Sequence, residues 1–423
     1  ERAVKKYYPR LIDKKIQEYL NTFGAILIQG PKWCGKTTSA SQHTSSHLHM
    51  QDTADIQNNI LVSKTAPALL LEGKKPRLID EWQIAPVLWD AVRVDVDNSG
   101  ELGQYILTGS SSPLPGATMH SGTGRIARLM MRPMSLYESL DSSGKISLSA
   151  LFNKEAFNPC KSEITIQEMA FLICRGGWPQ SIHVNERAAL LITKQYVKSI
   201  YNNDISEIGS TRTDPERVIA FLKSYSRHIQ TLTKNITILE DIKNNDIGIS
   251  EPTLYSYINR LQRMFIIDET RAWGPNIRSK TAIRTANKKG LIDPSIAAAA
   301  LGLTPAGLLN DFEYFGLLFE SLCIRDLKIY ADSMDAEVLH YRDEHGLECD
   351  AVVRLPNGDF ALTEIKLGGK QEDEAAEHLI QLEKLLLEKK KMKPLFKMIV
   401  TGGEFAYIRP DGIYVVPIAC LKE

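Results

Sequence analysis

The sequence predicts a multidomain α/β protein, and three observations carry that reading. The apolar run Ala25-Ile26-Leu27-Ile28 leads straight into Gly30-Pro31-Lys32-Trp33-Cys34-Gly35-Lys36-Thr37 and then into a helix start. Further on, a helical stripe of Leu254, Ile258, Leu261 and Phe265 gives way at once to a β-like run. Towards the end, a helix, a two-strand hairpin, a strand, a helix and another strand follow one another and carry Asp350 and Glu364-x-Lys366. A chain of 423 residues exceeds what one core organises, so two to four domains are expected.

The first element reads G-x-x-x-x-G-K-T directly behind a buried strand. Backbone N–H groups of such a loop, with the positive end of the following helix, cradle phosphate oxygens. Residues Gly30, Pro31, Lys32, Trp33, Cys34, Gly35, Lys36, Thr37 and Thr38 are therefore the candidate nucleotide cradle. Lys36 is placed for the β- and γ-phosphates and the Thr37 hydroxyl for a Mg²⁺ ion, so ATP with Mg²⁺ is the expected cofactor. The strand Arg77-Leu78-Ile79-Asp80-Glu81 ends in two acids: Asp80 to hold the metal, Glu81 to orient and polarise the attacking water. A third strand, at 104–110, ends in Thr108, Gly109 and Ser110. In a P-loop ATPase with an extra strand between the loop and the acids, a polar residue there contacts the γ-phosphate or the water, which makes Thr108 or Ser110 the candidate; a plain polar strand end is the competing reading.

Composition narrows the class without naming a partner. With 43% hydrophobic and 24% charged residues the chain is that of a folded globular protein, not a disordered one. No apolar run approaches the roughly 20 residues that span a bilayer. The opening residues do not resemble a secretory signal. The six cysteines are scattered with no C-x-x-C pair, which favours reduced thiols and a cytoplasmic location. Lys and Arg balance Asp and Glu at 51 each, so any nucleic-acid contact must come from local basic patches.

The glycine-rich turn 120–128 holds His120, Arg125 and Arg128. Arg125, with Arg128 as the second choice, is the candidate cation for a transferring phosphate, in cis or from a neighbouring subunit; a structural arginine is the competing reading. His120 reads as a loop residue.

Together these residues resemble the prokaryotic AAA-type ATPases that carry a C-terminal domain of unknown function, DUF4143. The resemblance rests on Tyr8-Pro9-Arg10, the loop Gly30 to Thr37, Leu78 to Glu81, Leu107 to Ser111, Gly122 to Arg125, Arg175-Gly176-Gly177-Trp178-Pro179 and Asp293-Pro294-Ser295. It covers nearly the whole chain. It implies an AAA+ core with a helical lid, a winged-helix segment and a terminal nuclease-like fold. The expected boundaries are 1–150 for the core, 151–235 for the lid, 236–290 for the winged helix and 291–423 for the last domain.

Within the lid, Arg227 is a candidate nucleotide contact. The winged-helix reading rests on Ser250-Glu251-Pro252 as a helix start, on the apolar stripe from Leu254, and on the β-like run 265–270. Ser256, Asn259, Arg260 and Arg263 fall on the opposite face, the one expected to meet a major groove. Six basic residues and no acid lie between Arg271 and Lys289, with Trp273 among them, which reads as a phosphate-contacting strip. An intramolecular spacer with solvated charges is the alternative.

The terminal order helix, hairpin, strand, helix, strand matches the core of the restriction-endonuclease-like fold. Period-two alternation puts Glu364 and Lys366 on one face, fourteen and sixteen residues after Asp350 on the neighbouring strand. The set resembles the PD-(D/E)xK nuclease motif, with Cys349 where the proline often stands. Asp350 and Glu364, completed by Glu320 from the preceding helix, are the candidate ligands of Mg²⁺ or Mn²⁺; Lys366 positions water or neutralises charge. Binding without cleavage stays open. Gln381 is a further candidate, and Lys389 to Lys391 read as a solvated helix end. The expected protein is a homo-oligomer, with a ring as one option, acting on DNA. A regulatory switch and a translocase are the competing classes.

Overall fold

The computed structural model describes residues 7–112, 121–209, 212–245, 247–275 and 286–423. It divides into two compact units. The first comprises residues 1–133, 205–211 and 259–266, and the second 134–204, 212–258 and 267–423.

The first unit is built on five parallel strands: β1 (Ala25–Gln29), β2 (Ser46–His49), β3 (Arg77–Asp80), β4 (Tyr105–Gly109) and β5 (Ile126–Met130). Their order is β2-β3-β4-β1-β5, with β4 inserted between the strand that carries the loop and the strand that carries the acids. Covered on both faces, the central strands read as unbroken apolar runs. Alternation sorts their side chains into two cores. Ala25, Leu27, Ile79 and Leu107 pack with Trp82 and with Leu88, Trp89 and Val92 of helix Val87–Ser99. Ile26, Ile28, Leu78 and Ile106 pack with Ile16 and Leu20 of helix Ile12–Leu20 and with Ala40. Each such fully buried side chain is worth about 1.5–3 kcal/mol.

The second unit joins a helical part to a seven-stranded sheet. β6 (Ile146–Ser147) pairs with β14 (Leu421–Lys422). The large sheet runs β7 (Cys160–Lys161), β12 (Phe405–Ile408), β13 (Tyr414–Pro417), β11 (Phe396–Thr401), β10 (Phe360–Lys366), β9 (Glu348–Arg354) and β8 (Glu337–Arg342). Helices Phe312–Asp332 and Glu372–Lys390 pack on it. Trp273 is buried in this core, 4.9 Å from the ring of Phe360. It is therefore a packing residue and not part of a phosphate-contacting strip.

Two motifs far apart in sequence meet in the helical part. Asp293 accepts from the Gly177 N–H at 3.0 Å and from Arg325 Nη1 at 2.7 Å, and its other oxygen takes the Ser295 hydroxyl. Trp178 Nε1 donates to Ser295 Oγ at 3.0 Å. Gly176 has φ +73°, and a Cβ on Gly177 would lie 2.1 Å from the Met134 carbonyl oxygen, so neither tolerates a side chain. The buried Arg325 is fully paired, with Asp293 and Asp326, which is the condition for burying a charge.

Candidate functional site

The nucleotide cradle lies at the C-terminal ends of parallel strands, where open α/β sheets bind ligands. Gly30 follows β1 under the Met131 carbonyl, to which any Cβ would come within 2.1 Å. Gly35, at φ 103°, starts the helix Lys36–Gln42. Lys36 is buried, its ammonium donating to the carbonyls of Gly30 at 3.0 Å and Pro31 at 2.8 Å, so the loop is closed on its own lysine. Pro31 and Cys34 are buried, whereas Trp33 and Thr38 are exposed and Lys32 faces Glu207 at 3.4 Å. Arg10, just before the first helix, donates to the carbonyls of Cys34 and Arg132, both at 2.8 Å. It thereby fixes the backbone of the loop from below.

The acids stand beside this loop. Asp80 Oδ1 accepts from Thr37 Oγ1 at 2.7 Å and from Thr108 Oγ1 at 2.6 Å, while its other oxygen faces His49 Nδ1 at 3.2 Å. A hydroxyl and a carboxylate this close form a hard-oxygen donor set that fits Mg²⁺. Glu81, in the left-handed region at φ 56°, has its carboxylate held by Ser110 Oγ at 2.7 Å and by Gln83 Nε2. Its own N–H donates to Thr108 Oγ1 at 3.2 Å. Thr37, Asp80, Glu81, Thr108 and Ser110 are thus brought together. Arg10, His49 and Gln83 are neighbours that the sequence reading missed; only Arg10, within Tyr8-Pro9-Arg10, carried any signal.

Arg125 is not among them. It precedes β5, and its carbonyl accepts from the Ala25 N–H at the start of β1, the opposite end of the sheet from Gly30. Its guanidinium is paired with Asp97 at 2.7 Å. An action in cis on the nucleotide of the same chain is therefore excluded by the length of the strand. Arg128 stacks over the Trp89 ring at 5.0 Å. Arg227 is paired with Asp241 at 2.8 Å, and Gln381 is exposed on its helix. His120 lies outside the described residues.

The groove-facing reading of Arg260 and Arg263 also needs correction. Arg260 is buried, donating to the Ile205 carbonyl. Arg263 donates to the carbonyls of Ser112 and Ile208. The residues that helix Glu251–Arg263 exposes are Glu251, Pro252, Tyr255, Asn259 and Gln262, because the buried stripe is wider than the apolar residues alone suggest. Of the six basic residues between 271 and 289, Arg278, Lys280 and Arg284 lie outside the described residues. Arg271 is exposed and paired with Glu337, whereas Lys288 and Lys289 are buried.

The C-terminal constellation does assemble. In the antiparallel pairing of β9 with β10, Leu362 faces Val352 and Thr363 faces Ala351, which brings Asp350 beside Glu364. Lys366 Nζ lies 2.9 Å from Glu364 and 3.8 Å from Asp350, and the Ile365 N–H donates to Asp350 at 3.0 Å. Glu320 arrives from helix Phe312–Asp332, joined by a residue the sequence reading assigned elsewhere. Lys288 Nζ is 2.9 Å from Glu320 and 3.1 Å from Asp350. Burial and the charge of Asp350 push Glu364 up to about 8 and Glu320 up to about 7. Burial acts on Asp350 in the same sense, but Lys288, Lys366 and the Ile365 N–H outweigh it and hold its carboxyl below the usual range. Despite burial, the carboxylates raise the Lys288 pKa above the ordinary lysine value. Burial, and then the Lys288 charge, lower His340 to about 4. As arranged, these residues do not fit a divalent cation, because the oxygens it would need are taken by ammonium groups.

The parallel sheet, the glycine loop after β1 and the acids after β3 define the first unit as the nucleotide-binding core of a P-loop ATPase. Residues 22–140 match the family described as an AAA domain. Residues 166–307 match a domain of unknown function, DUF8612, and residues 315–421 match a second, DUF4143. The chain is accordingly an ATPase with an AAA domain and a C-terminal DUF4143 domain. No curated protein matches it in sequence. Among solved structures it is similar to the Walker-type ATPase PABY2304 of Pyrococcus abyssi, with 13% identity over 70% of this chain and 97% of that one at a TM-score of 0.42. It is also similar to a chain in the structure of Drosophila ORC bound to DNA, with 14% identity over 69% and 83% of the two chains at a TM-score of 0.17. No helix among the described residues is long and apolar enough to cross a membrane.

Proposed function

We propose that this ATPase acts on DNA, turning over ATP with Mg²⁺ at the Gly30 to Thr38 loop and engaging DNA through the winged-helix segment that starts at residue 235. The observation that carries the catalytic part is the network in which Thr37 and Thr108 share Asp80 while Ser110 and Gln83 hold Glu81. Lys36 leaves the Gly30 and Pro31 carbonyls for the β- and γ-phosphates. Thr37 and Asp80 would hold a Mg²⁺ ion, which would supply positive charge against the phosphates. Glu81 orients and polarises the attacking water, with Ser110 and Gln83 setting its carboxylate. Arg125, at the far end of the sheet, serves a neighbouring subunit, which makes the working form a homo-oligomer and a ring the natural closure. Scattered, unpaired cysteines support a cytoplasmic setting.

The DNA reading rests on helices Asn235–Lys243 and Glu251–Arg263 followed by the bridged pairs Ile267 with Leu291 and Thr270 with Lys288, the order of a winged helix. Helix–hairpin–strand–helix order in the last domain supports a nuclease-like fold. The test is fluorescence anisotropy on single-stranded and duplex DNA with and without ATP, alongside ATP turnover on the same DNA. Nucleotide-dependent DNA binding and DNA-stimulated turnover are expected. Turnover that is indifferent to DNA, with no binding, would leave a regulatory switch acting on a protein partner.

A further inference from the structure

We propose that the ammonium of Lys288 permanently holds the place a divalent cation would take in the C-terminal site, making Glu320, Asp350, Glu364 and Lys366 a metal-free ion-pair network. This goes beyond the ATPase and DNA reading and does not depend on it. A metal bound by Glu320 and Asp350 must sit between their facing oxygens, and that point is where Lys288 Nζ lies, 2.9 and 3.1 Å from the two. A second ammonium, Lys366, covers Glu364 at 2.9 Å. With two fixed positive charges in a buried cluster, a divalent ion meets repulsion where it would need uncompensated oxygens.

Lys288 cannot readily leave this position. Its backbone exchanges two hydrogen bonds with Thr270, at 2.9 and 3.1 Å. The next residue, Lys289, is buried and paired with Glu269 at 3.0 Å and bonded to Asn235 at 2.8 Å. Gly290 packs against the Asp268 carbonyl so closely that a Cβ would sit 2.4 Å from its oxygen. On the other side, the Ala286 carbonyl faces His340 Nε2 at 3.0 Å, and Ala272 is bridged in parallel to His340 on β8. Lys328 ties down the Asp268 and Glu269 carbonyls from helix Phe312–Asp332. The lysine is therefore carried on backbone fixed at both ends, unlike a side chain poised on a loose loop. Its side chain is only 5% exposed, so the charge is set inside and not folded in from the surface.

The experiment is nucleotide-free Mn²⁺ binding by the full chain, read by electron paramagnetic resonance. Wild type and Glu364→Gln should bind Mn²⁺ identically, since the cluster holds none. Lys288→Ala and Lys288→Met should gain at least tenfold in Mn²⁺ affinity at one site per chain, and that gain should vanish when Asp350→Asn is added. A wild-type Mn²⁺ site lost in Glu364→Gln overturns the proposal, whether or not the Lys288 variants fold. Folded Lys288 variants that gain no Mn²⁺ overturn it as well, because Lys288 would then not be what keeps the ion out.

Discussion

The P-loop site and the C-terminal cluster use the same residue types to opposite effect, two acids and a lysine in the first and three acids and two lysines in the second. At the P-loop, the acids accept from the hydroxyl and amide groups of Thr37, Thr108, Ser110 and Gln83, with His49 beside Asp80, and the lysine is bonded to carbonyls instead of to carboxylates. No ammonium lies on these carboxylates, and the lysine sits on backbone carbonyls beside the loop that would receive phosphate. In the C-terminal cluster, Lys288 and Lys366 lie on the carboxylates themselves. Charge is spent internally, and the acids that remain in excess are driven towards their protonated forms. What separates a working site from a structural one is therefore where the lysine ends up, not whether Asp, Glu and Lys are present.

The contrast can be broken most sharply at the first site. Lys36→Ala should lower ATP turnover at least a hundredfold, about the loss that removing a principal charge stabiliser brings. Glu81→Gln should lower kcat by about 10²–10⁴ while ATP binding, followed with a fluorescent analogue, persists. Undiminished turnover in Glu81→Gln would remove that residue from water activation. At the second site, Lys288→Met strands Glu320 and Asp350 as buried acids. Denaturant unfolding should show a loss of about 3–5 kcal/mol, the usual consequence of removing one partner from a buried ion pair.

A pH series sharpens the same point at smaller scale. The folded-state pKa of Glu364, about 8, lies above its unfolded value, so the folded chain binds more protons between those two values. That contribution to stability is present below the ordinary carboxylate range and is lost as pH rises to about 8. Glu364 alone should therefore cost at most about 1.4 kcal/mol of stability per pH unit from pH 5 to 8, with Glu320 adding to the loss below about pH 7, and Glu364→Gln should flatten the slope. Smallest of all, replacing Arg260 and Arg263 with Ala should leave the salt dependence of DNA binding unchanged, because both guanidinium groups are committed to backbone carbonyls. A shallower salt slope in that variant would restore them as phosphate contacts.

Legibility followed sequence distance. Gly30 to Thr37 is contiguous, and strand ends are set by apolar runs, so the nucleotide site could be read almost whole. Glu364 and Lys366 were placed by strand alternation, and the order of helix, hairpin, strand, helix and strand is found at residues 312–332, 337–354, 360–366, 372–390 and 396–401. Lys288 was illegible because its partners are 32 and 62 residues away, and nothing acidic stands between 271 and 289. A segment without local acids imitates a nucleic-acid strip, and Trp273 strengthens the imitation although it is buried. The available signal was Leu291-Ile292 directly after Lys288-Lys289-Gly290, an apolar run that draws its neighbours inward. For Arg125 the sequence left action in cis or from a neighbouring subunit open for a different reason: a residue before a strand and a residue after it look alike in sequence but stand at opposite ends of the sheet. β2 at 46–49 escaped the sequence as well, because Ser-His-Leu-His carries too few apolar residues to announce itself.

The most direct test of the contrast is a side-by-side assay of wild type, Glu81→Gln and Glu364→Gln for ATP turnover and for DNA cleavage in Mg²⁺ or Mn²⁺. Turnover lost only in Glu81→Gln, with no cleavage by any of the three, is the predicted result. Metal-dependent cleavage by wild type that disappears in Glu364→Gln would contradict it, because the C-terminal cluster would then be a working metal site.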